Sequence, residues 1–312
     1  MRLGLDIGGT KTDAVAIDER GDIVARLRMP TGFGGDAVVD TAVSALEQLG
    51  QLTATPLPAF SSIGIGIPGT VDTAGGIVSH AVNLGVDELA LARDLRLRLG
   101  VDVQVENDVK AAALGAFRLL FPPQGDGGDR HSMAYLNLGT GLAAGLVLGG
   151  ELWRGSRGTA GEIGHIPVDP TGALCPCGQR GCLETVASGS AIARQWPSDD
   201  ALPVLSLLAA ARAGDPGAIA IHRSLVENVA AAVRILVLTV DVEAVVIGGG
   251  LSHLGDPLLD DIRAVLGGWA LDSPFLASLE LPGRVQFVPD DFPVAAVGAA
   301  LVGRPLALAE EV

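Results

Sequence analysis

Three cysteines and one histidine form the grouping in this sequence that points most clearly to a metal. Cys175, Cys177 and Cys182 are all the cysteines of the 312-residue chain, and His165 precedes them. Three thiolates and an imidazole suit a tetrahedral structural zinc. A disulfide between Cys175 and Cys177 would close too small a ring for relaxed geometry. The pattern predicts that these four residues bind a structural Zn²⁺. The alternative is that the cysteines are three small core residues that happen to lie close together.

Three glycine-rich turns follow buried-strand patterns and are candidates for phosphate binding. They are Gly8-Gly9-Thr10-Lys11, Gly139-Thr140-Gly141 and Gly248-Gly249-Gly250. Glycine lets backbone N–H groups approach phosphate oxygens because no Cβ intervenes. Asp6, which ends the first strand, could hold Mg²⁺ directly or through water. Each turn alone is equally compatible with an ordinary hairpin and none is a P-loop, but together they favour a bound nucleotide.

Two groups of residues that include acidic side chains could take part in phosphoryl transfer. Asp108 follows Glu106 and Asn107 where a strand ends and a helix begins, and a carboxylate there can accept a proton from an attacking hydroxyl. The alternative is that this triplet only caps the helix. Glu162 lies one helical turn before His165, so both could face a common ligand, or Glu162 is a surface acid beside a zinc ligand.

The elements that must position these residues follow an α/β pattern. Strand, glycine turn and strand occur near the start of the chain and recur about 130 residues later, which predicts a duplicated architecture. Strands are predicted at 3–7, 13–17, 23–27, 63–67, 101–105, 134–138, 142–148, 151–153, 242–247 and 284–288. Helices are predicted at 36–49, 87–99, 109–120, 203–213, 216–238, 257–266 and from 294 onwards, with a loop at 121–130.

Composition excludes several classes of protein. The length predicts two domains or two lobes, and the net charge of −15 argues against a nucleic-acid partner. No apolar run approaches the roughly 20 residues needed to span a bilayer. A strand pattern begins at Leu3, so no signal peptide is expected. With cysteines as metal ligands, these features predict a cytoplasmic location without membrane contact.

Seven motifs, in order along nearly the whole chain, together resemble the ROK family of bacterial glucokinases, N-acetylhexosamine kinases and sugar-responsive repressors. They are Leu5-Asp6-Ile-Gly-Gly-Thr-Lys11, Gly66-Ile-Pro-Gly69, Glu106-Asn-Asp108, Leu138-Gly-Thr-Gly141, Glu162-x-Gly-His165, Cys175-x-Cys-Gly-x-x-Gly-Cys182 and Gly248-Gly-Gly250. The resemblance implies an actin-like, hexokinase-type (ribonuclease H-like) α/β fold, two-lobed with ATP in the cleft. The lobes are expected at 1–108 plus 294–312 and at 109–293, the latter with the zinc site.

The resemblance also implies roles for individual residues. Asp108 matches the catalytic base and Asn107 a ligand of a sugar hydroxyl, with Gly69 also at the sugar. Glu162, His165 and Glu184 match sugar ligands near the anomeric side, and His165 would bind zinc through its other nitrogen. Asp6 and the three glycine turns match the ATP site, with Gly8 to Lys11 and Gly139 to Gly141 as the two phosphate hairpins and Gly248 to Gly250 as the turn near the nucleoside. One departure is Asn83-Leu-Gly-Val86, which lacks the aromatic that many relatives carry after the glycine.

The function that follows from this resemblance is an ATP- and Mg²⁺-dependent kinase for the 6-hydroxyl of a hexose, with glucose favoured. Alternative acceptors are N-acetylglucosamine and N-acetylmannosamine, and polyphosphate is left open as a donor. A sugar-sensing regulator without a DNA-binding domain is the alternative from another class, and an actin- or chaperone-type ATPase is a third. The resemblance further implies a homodimer.

Overall fold

The computed structural model contains both strands and helices and describes residues 1–122, 131–200 and 202–303. The strands in these ranges are β1 (Arg2–Ile7), β2 (Lys11–Ile17), β3 (Ile23–Pro30), β4 (Ser62–Ile67), β5 (Thr70–Asp72), β6 (Ile77–Ala81), β7 (Val86–Leu89), β8 (Gln104–Asn107), β9 (Met133–Leu138), β10 (Leu142–Leu148), β11 (Glu151–Trp153), β12 (Ala244–Gly248) and β13 (Val285–Phe287). The α-helices are α1 (Gly35–Leu52), α2 (Leu91–Leu99), α3 (Asp108–Leu120), α4 (Gly189–Gln195), α5 (Pro203–Arg212), α6 (Pro216–Val240), α7 (Asp256–Leu271), α8 (Pro274–Ser278) and α9 (Val294–Val302). Most of the predicted loop 121–130, and residues beyond 303, lie outside the described residues.

The first of two compact units contains Met1–Asp129, Arg154–Gly158 and Phe292–Val312. Its main sheet has the order β3-β2-β1-β4-β8, in which β1 to β3 are antiparallel and β4 and β8 run parallel to β1. Leu3, Leu5 and Ile7 alternate along β1 and are fully buried, as the period of a strand requires. A smaller antiparallel sheet, β5-β6-β7, belongs to the same unit.

Glycines allow α9 to pack directly on the backbone of the first sheet and on α3. A Cβ on Gly4 or Gly64 would lie 2.0 or 1.9 Å from a carbonyl oxygen of α9. At the crossing of the two helices, a Cβ on Gly115 would lie 1.9 Å from the carbonyl oxygen of Val294. Because α3 packs so closely on α9, it belongs to the first unit. The lobe boundary expected at residue 108 is therefore corrected to lie after α3.

The second unit contains Arg130–Trp153 and Thr159–Asp291. Its sheet has the order β11-β10-β9-β12-β13, with β9 to β11 antiparallel and β12 and β13 parallel to β9. Order and strand directions repeat those of the first sheet, so the predicted duplication is confirmed. Apolar residues of α6 at helical spacing form much of its core, including Leu225, Val229, Val233 and Leu236.

One predicted helix is wrong over its first part. The pattern at 87–99 predicts a continuous helix, but Val86–Leu89 forms β7 and the helix begins at Leu91. Leu89 pairs with Val78 and Val86 with Ala81 in the small sheet, so strand pairing overrides the helical propensity of this segment. None of the helices in the described ranges combines the length and hydropathy that crossing a bilayer requires.

Candidate active site and metal centre

The start of α3 brings together three residues predicted to act on a sugar. Asn107 is the N-cap of α3, and its Oδ1 accepts hydrogen bonds from the N–H groups of Val109 and Lys110 at 3.1 and 3.2 Å. Its Nδ2 donates to Asp108 Oδ1 at 3.1 Å and to the Gly69 carbonyl at 3.3 Å. Asn107 therefore is a helix cap, as the alternative reading expected, and the same geometry orients the carboxylate of Asp108.

Asp6 is the penultimate residue of β1, in the first unit, and carries an unusual carboxyl group. Burial raises its pKa to about 8, the nearby carboxylates of Asp108 and Asp13 add to the rise, and Lys11 and Arg28 oppose it. At neutral pH this carboxyl therefore keeps its proton unless a cation replaces it. Carboxylate oxygens are the ligands that Mg²⁺ prefers, so the residues present fit the metal expected here.

The first glycine turn closes the hairpin between β1 and β2. The N–H of Gly8 donates to the carbonyl of Lys11 at 3.0 Å, so this amide holds the turn itself. A Cβ on Gly9 would lie 3.1 Å from the carbonyl oxygen of Asn83. Glycine at this position thus lets the turn lie against residues 82–84. Lys11 is exposed beyond the turn, where a cation can meet a phosphate.

A short segment after β11, Arg154–Gly158, belongs to the first unit and was not identified from the sequence. Arg154 Nε donates to Glu106 Oε2 at 2.6 Å, and Lys110 Nζ donates to the Gly158 carbonyl at 2.5 Å. Glu106 and Lys110 are both buried. Glu106 stood in the predicted triplet without a role of its own, and nothing in the sequence around Arg154 indicated its partner.

In the second unit, the structure brings together all four predicted zinc ligands. One ligand atom each from His165, Cys175, Cys177 and Cys182 lies within 4.8 Å of the others. Cys177 Sγ is 3.6 Å from Cys182 Sγ, and Cys175 Sγ is 3.8 Å from His165 Nδ1. A tetrahedral zinc with bonds of about 2.3 Å to sulfur and about 2.0 Å to nitrogen needs ligand separations of roughly 3.5–3.8 Å. The residues therefore fit zinc, with Nδ1 as the histidine ligand.

The electrostatics of the cluster also favour a bound cation. Burial raises the pKa of Cys182 to about 12. Hydrogen bonds from Gln179 lower the pKa of Cys177 to about 6. Neighbouring thiols with opposed shifts cannot all ionise unless a positive charge joins them, and a divalent metal supplies that charge.

Glu184 connects this cluster to the second glycine turn. Its Oε1 lies 3.8 Å from Cys175 Sγ, and its Oε2 accepts a hydrogen bond from the N–H of Leu142 at 3.3 Å. A Cβ on Gly141 would lie 2.6 Å from the same Oε2. The predicted sugar ligand and the predicted phosphate turn thus share one carboxylate. The sequence, in which they are far apart, could not reveal this contact.

A tight turn holds Glu162 and His165 against the start of β10. Residues Ile163–His165 form one 3₁₀ turn. A Cβ on Gly164 would lie 2.0 Å from the Leu142 carbonyl oxygen and 3.4 Å from Glu184 Cβ. Only glycine fits this approach. The turn carrying Glu162 and His165 therefore lies directly beside Glu184, so the structure brings these three predicted sugar ligands together.

The second and third glycine turns lie side by side in the same unit. A Cβ on Gly249 would lie 2.7 Å from Asn137 Oδ1 and 2.7 Å from the carbonyl carbon of Leu138, just before the second turn. The N–H of Gly189, at the start of α4, donates to the Gly139 carbonyl at 2.8 Å. The turns 139–141 and 248–250 therefore form one glycine-lined surface that α4 supports.

Comparison with known proteins gives consistent results. A sequence model of the ROK family matches residues 2–281. A glucokinase of Streptomyces coelicolor is 34% identical, over 86% of this chain and 88% of its own. An N-acetylmannosamine kinase of Vibrio cholerae is 34% identical, over 80% and 84% of the two chains. The crystal structure of a ROK family glucokinase from Streptomyces griseus in complex with glucose and AMPPNP is 32% identical, with a TM-score of 0.76 over 96% and 98%. This similarity confirms the predicted actin-like, hexokinase-type α/β fold.

Proposed function

This chain belongs to the ROK family, and from that premise we propose that it transfers the γ-phosphoryl group of ATP to the 6-hydroxyl of a hexose, with glucose favoured. The observation that carries the proposal is the Asn107–Asp108 corner, in a chain 34% identical to a glucokinase. An oriented carboxylate at a helix start is what a general base for an attacking hydroxyl requires.

The roles proposed for residues at the acceptor are carried over from the family resemblance. Asp108 accepts the proton of the 6-hydroxyl as that oxygen attacks phosphorus, while Asn107 binds a neighbouring hydroxyl. Glu162, His165 and Glu184 of the second unit bind the hydroxyls near the anomeric carbon. Their support is the shared packing at Gly164, which fixes their spacing. Preorganised contacts of this kind reduce the entropy lost when the reactants meet.

The donor side uses glycine turns and one carboxyl. Backbone N–H groups of the turns 8–11 and 139–141 and the ammonium of Lys11 bind the phosphates, and the turn 248–250 lies near the nucleoside. Asp6 holds Mg²⁺ directly or through water. When bound, Mg²⁺ neutralises charge that develops on the transferred group. The raised pKa of Asp6 supports this role, because a divalent cation can displace its proton and offset both its burial and the charge of the nearby carboxylates.

The Cys₃His cluster is proposed as a structural zinc site. His165 binds the metal through Nδ1, which leaves Nε2 for a sugar hydroxyl. Cys175, Cys177 and Cys182 complete the four ligands. Held in this way, the metal fixes the segment that carries Glu162 and Glu184, so zinc supports sugar binding by geometry and takes no part in the chemical step.

The N-acetylmannosamine kinase of Vibrio cholerae, equally identical to this chain, supports a second acceptor class. A coupled assay of ADP release with glucose, mannose, glucosamine, N-acetylglucosamine and N-acetylmannosamine separates the candidates. We expect the highest kcat/KM with glucose; a higher value for an N-acetylhexosamine would replace glucose as the acceptor. If no sugar stimulates ADP release, the kinase proposal is wrong and the sugar-sensor alternative gains support. A homodimer remains a prediction from the resemblance, and sedimentation measures it. The cytoplasmic location remains a prediction from the composition.

A further inference from the structure

We propose that Glu106 and Arg154 are positioning residues that hold the Asn107–Asp108 corner in the orientation needed for phosphoryl transfer. Glu106 is the penultimate residue of β8, and its side chain is 2% exposed. Its Oε2 accepts a hydrogen bond from Arg154 Nε at 2.6 Å, and its Oε1 accepts one from the Asn107 N–H at 3.0 Å. One buried carboxylate thus joins a guanidinium to the peptide before Asp108. The inference rests on the proposed kinase function.

The hydrogen bond that Glu106 Oε1 accepts from the Asn107 N–H affects the orientation of more than one peptide group. It fixes the backbone of Asn107 and with it the direction of the Asn107 side chain. That side chain caps α3 and donates from Nδ2 to Asp108 Oδ1 at 3.1 Å. A rotation of the Glu106 carboxylate would therefore act on the base through two hydrogen bonds, beside the one that Asp108 Oδ1 accepts from the Val109 N–H at 2.9 Å. Catalytic groups must be held to within about 0.5 Å, and hydrogen bonds of this kind restrict the movement of the carboxylate.

The guanidinium of Arg154 is what makes a buried carboxylate tolerable at this place. Removing one partner of a buried ion pair leaves an uncompensated charge, which then gains a proton or moves towards water. Either change alters the bond that Glu106 makes to Asn107. Arg154 itself is 38% exposed, so its own charge remains partly hydrated and the pair is asymmetric. The buried member, Glu106, is the one that contacts the corner.

A second contact keeps Arg154 within reach of Glu106. Lys110, on the first turn of α3, is 6% exposed and donates to the Gly158 carbonyl at 2.5 Å. The segment Arg154–Gly158 is therefore attached at one end to β8 and at the other to α3. Both attachments flank the Asn107–Asp108 corner, which is what a support for that corner requires.

Four variants and one control test the proposal. Glu106→Gln keeps the shape but leaves a single acceptor oxygen for two donors, and the charged guanidinium competes better for it than the peptide N–H. Arg154→Met removes the positive charge that faces Glu106. Arg154→Lys keeps a positive charge there but replaces the planar guanidinium by an ammonium group. In the double variant Glu106→Gln/Arg154→Met, the amide oxygen is available to the Asn107 N–H again. The control is Arg98→Met, which breaks an ion pair with Asp40 elsewhere in the first unit.

We expect a split between kcat and KM. Displacing a catalytic group by about 1 Å costs about 100-fold in rate, so Glu106→Gln and Arg154→Met should each lower kcat by about that factor and change the KM for ATP less than about threefold. Arg154→Lys should stay within about tenfold of wild type, and the double variant should exceed Glu106→Gln by about tenfold. Arg98→Met should leave kcat unchanged. If both single variants, still folded, keep wild-type kcat, or if the double variant is no faster than Glu106→Gln, the proposal is wrong.

Amide hydrogen exchange of the wild type and the same variants separates this inference from the proposed function. Faster exchange at Asn107 to Lys110 in Glu106→Gln, slowed again in the double variant, supports the positioning role even if no sugar proves to be phosphorylated. Unchanged exchange in both single variants overturns it, even in an active kinase. The kinase proposal is judged separately, by whether the wild type releases ADP in response to a hexose.

Discussion

Replacing Asp6 by asparagine is expected to stabilise the fold while abolishing phosphoryl transfer. The folded-state pKa of this carboxyl is about 8, against 3.8 for an ordinary aspartate. Between about pH 4 and about pH 8 the folded chain binds a proton that the unfolded chain has released, so the free energy of unfolding falls as the pH rises through this window and levels off above it. An asparagine, which never ionises, removes this dependence.

The size of the effect follows from the shift. At 1.36 kcal/mol per pKa unit, the shift from 3.8 to about 8 sets a ceiling of about 6 kcal/mol on the gain in the free energy of unfolding above pH 8. Asp6 is only partly buried as a residue, and screening by solvent reduces such values, so we expect about 2–3 kcal/mol. At pH 5 the gain should be below about 1 kcal/mol, because only about 1 of the roughly 4 pH units between the unfolded and folded pKa values has been crossed.

Urea unfolding of the wild type and Asp6→Asn at pH 5 and pH 8.5, without Mg²⁺ or nucleotide, measures the gain directly. The matched control is Asp87→Asn, at an exposed position of the same unit, and its free energy of unfolding should stay within about 0.5 kcal/mol of wild type. A gain that does not widen between the two pH values, or a variant less stable than wild type at pH 8.5, would refute the reasoning. Added Mg²⁺ should stabilise the wild type more than the variant.

Three further substitutions test other parts of the site. Cys177→Ser should reduce zinc, measured by mass spectrometry, from one ion per chain towards none and lower Tm by about 5 °C or more; full zinc content with unchanged Tm would contradict the cluster. Gly164→Ala puts a Cβ 2.0 Å from the Leu142 carbonyl oxygen, so the KM for sugar should rise about 100-fold with the KM for ATP unchanged; equal sugar KM values would argue against the turn as a sugar site. Asp108→Ala should lower kcat at least about 1000-fold while calorimetry shows sugar binding within about tenfold of wild type; near-wild-type kcat would remove Asp108 as the base.

The sequence predicted those parts of the structure that depend on local pattern. The pattern of apolar residues predicted β1, β9 and α6. Such patterns are visible in the sequence because residues close together in the chain form the buried face of each element. It failed at 86–89, where pairing with β6 decides the conformation and no local signal records the partner. The place of α3 in the first unit was missed for the same reason, since its glycine contact with α9 joins residues far apart in sequence.

The candidate site divides in the same way. The Cys₃His set could be predicted because three of its ligands lie within one short segment, and their chemistry is specific. The resemblance named both Gly69 and Asn107 as sugar-site residues, but only the fold shows that Asn107 donates a hydrogen bond to the Gly69 carbonyl. The partners of Glu106 and Glu184 were beyond prediction, because Arg154 and Leu142 reach them only through the packing of the turns. A buried carboxylate requires a hydrogen-bond donor or a cation nearby, but the sequence does not show which residue supplies it.

The position of the transferred phosphate tests the central claim most directly. The chain, incubated with ATP, Mg²⁺ and ¹³C-labelled glucose, should yield a single sugar product whose ³¹P–¹³C coupling places the phosphate on carbon 6. Product formation should stop in Asp108→Ala. Phosphate on the anomeric carbon, or release of inorganic phosphate alone at a rate independent of sugar, would contradict the account of this chain as a hexose 6-kinase.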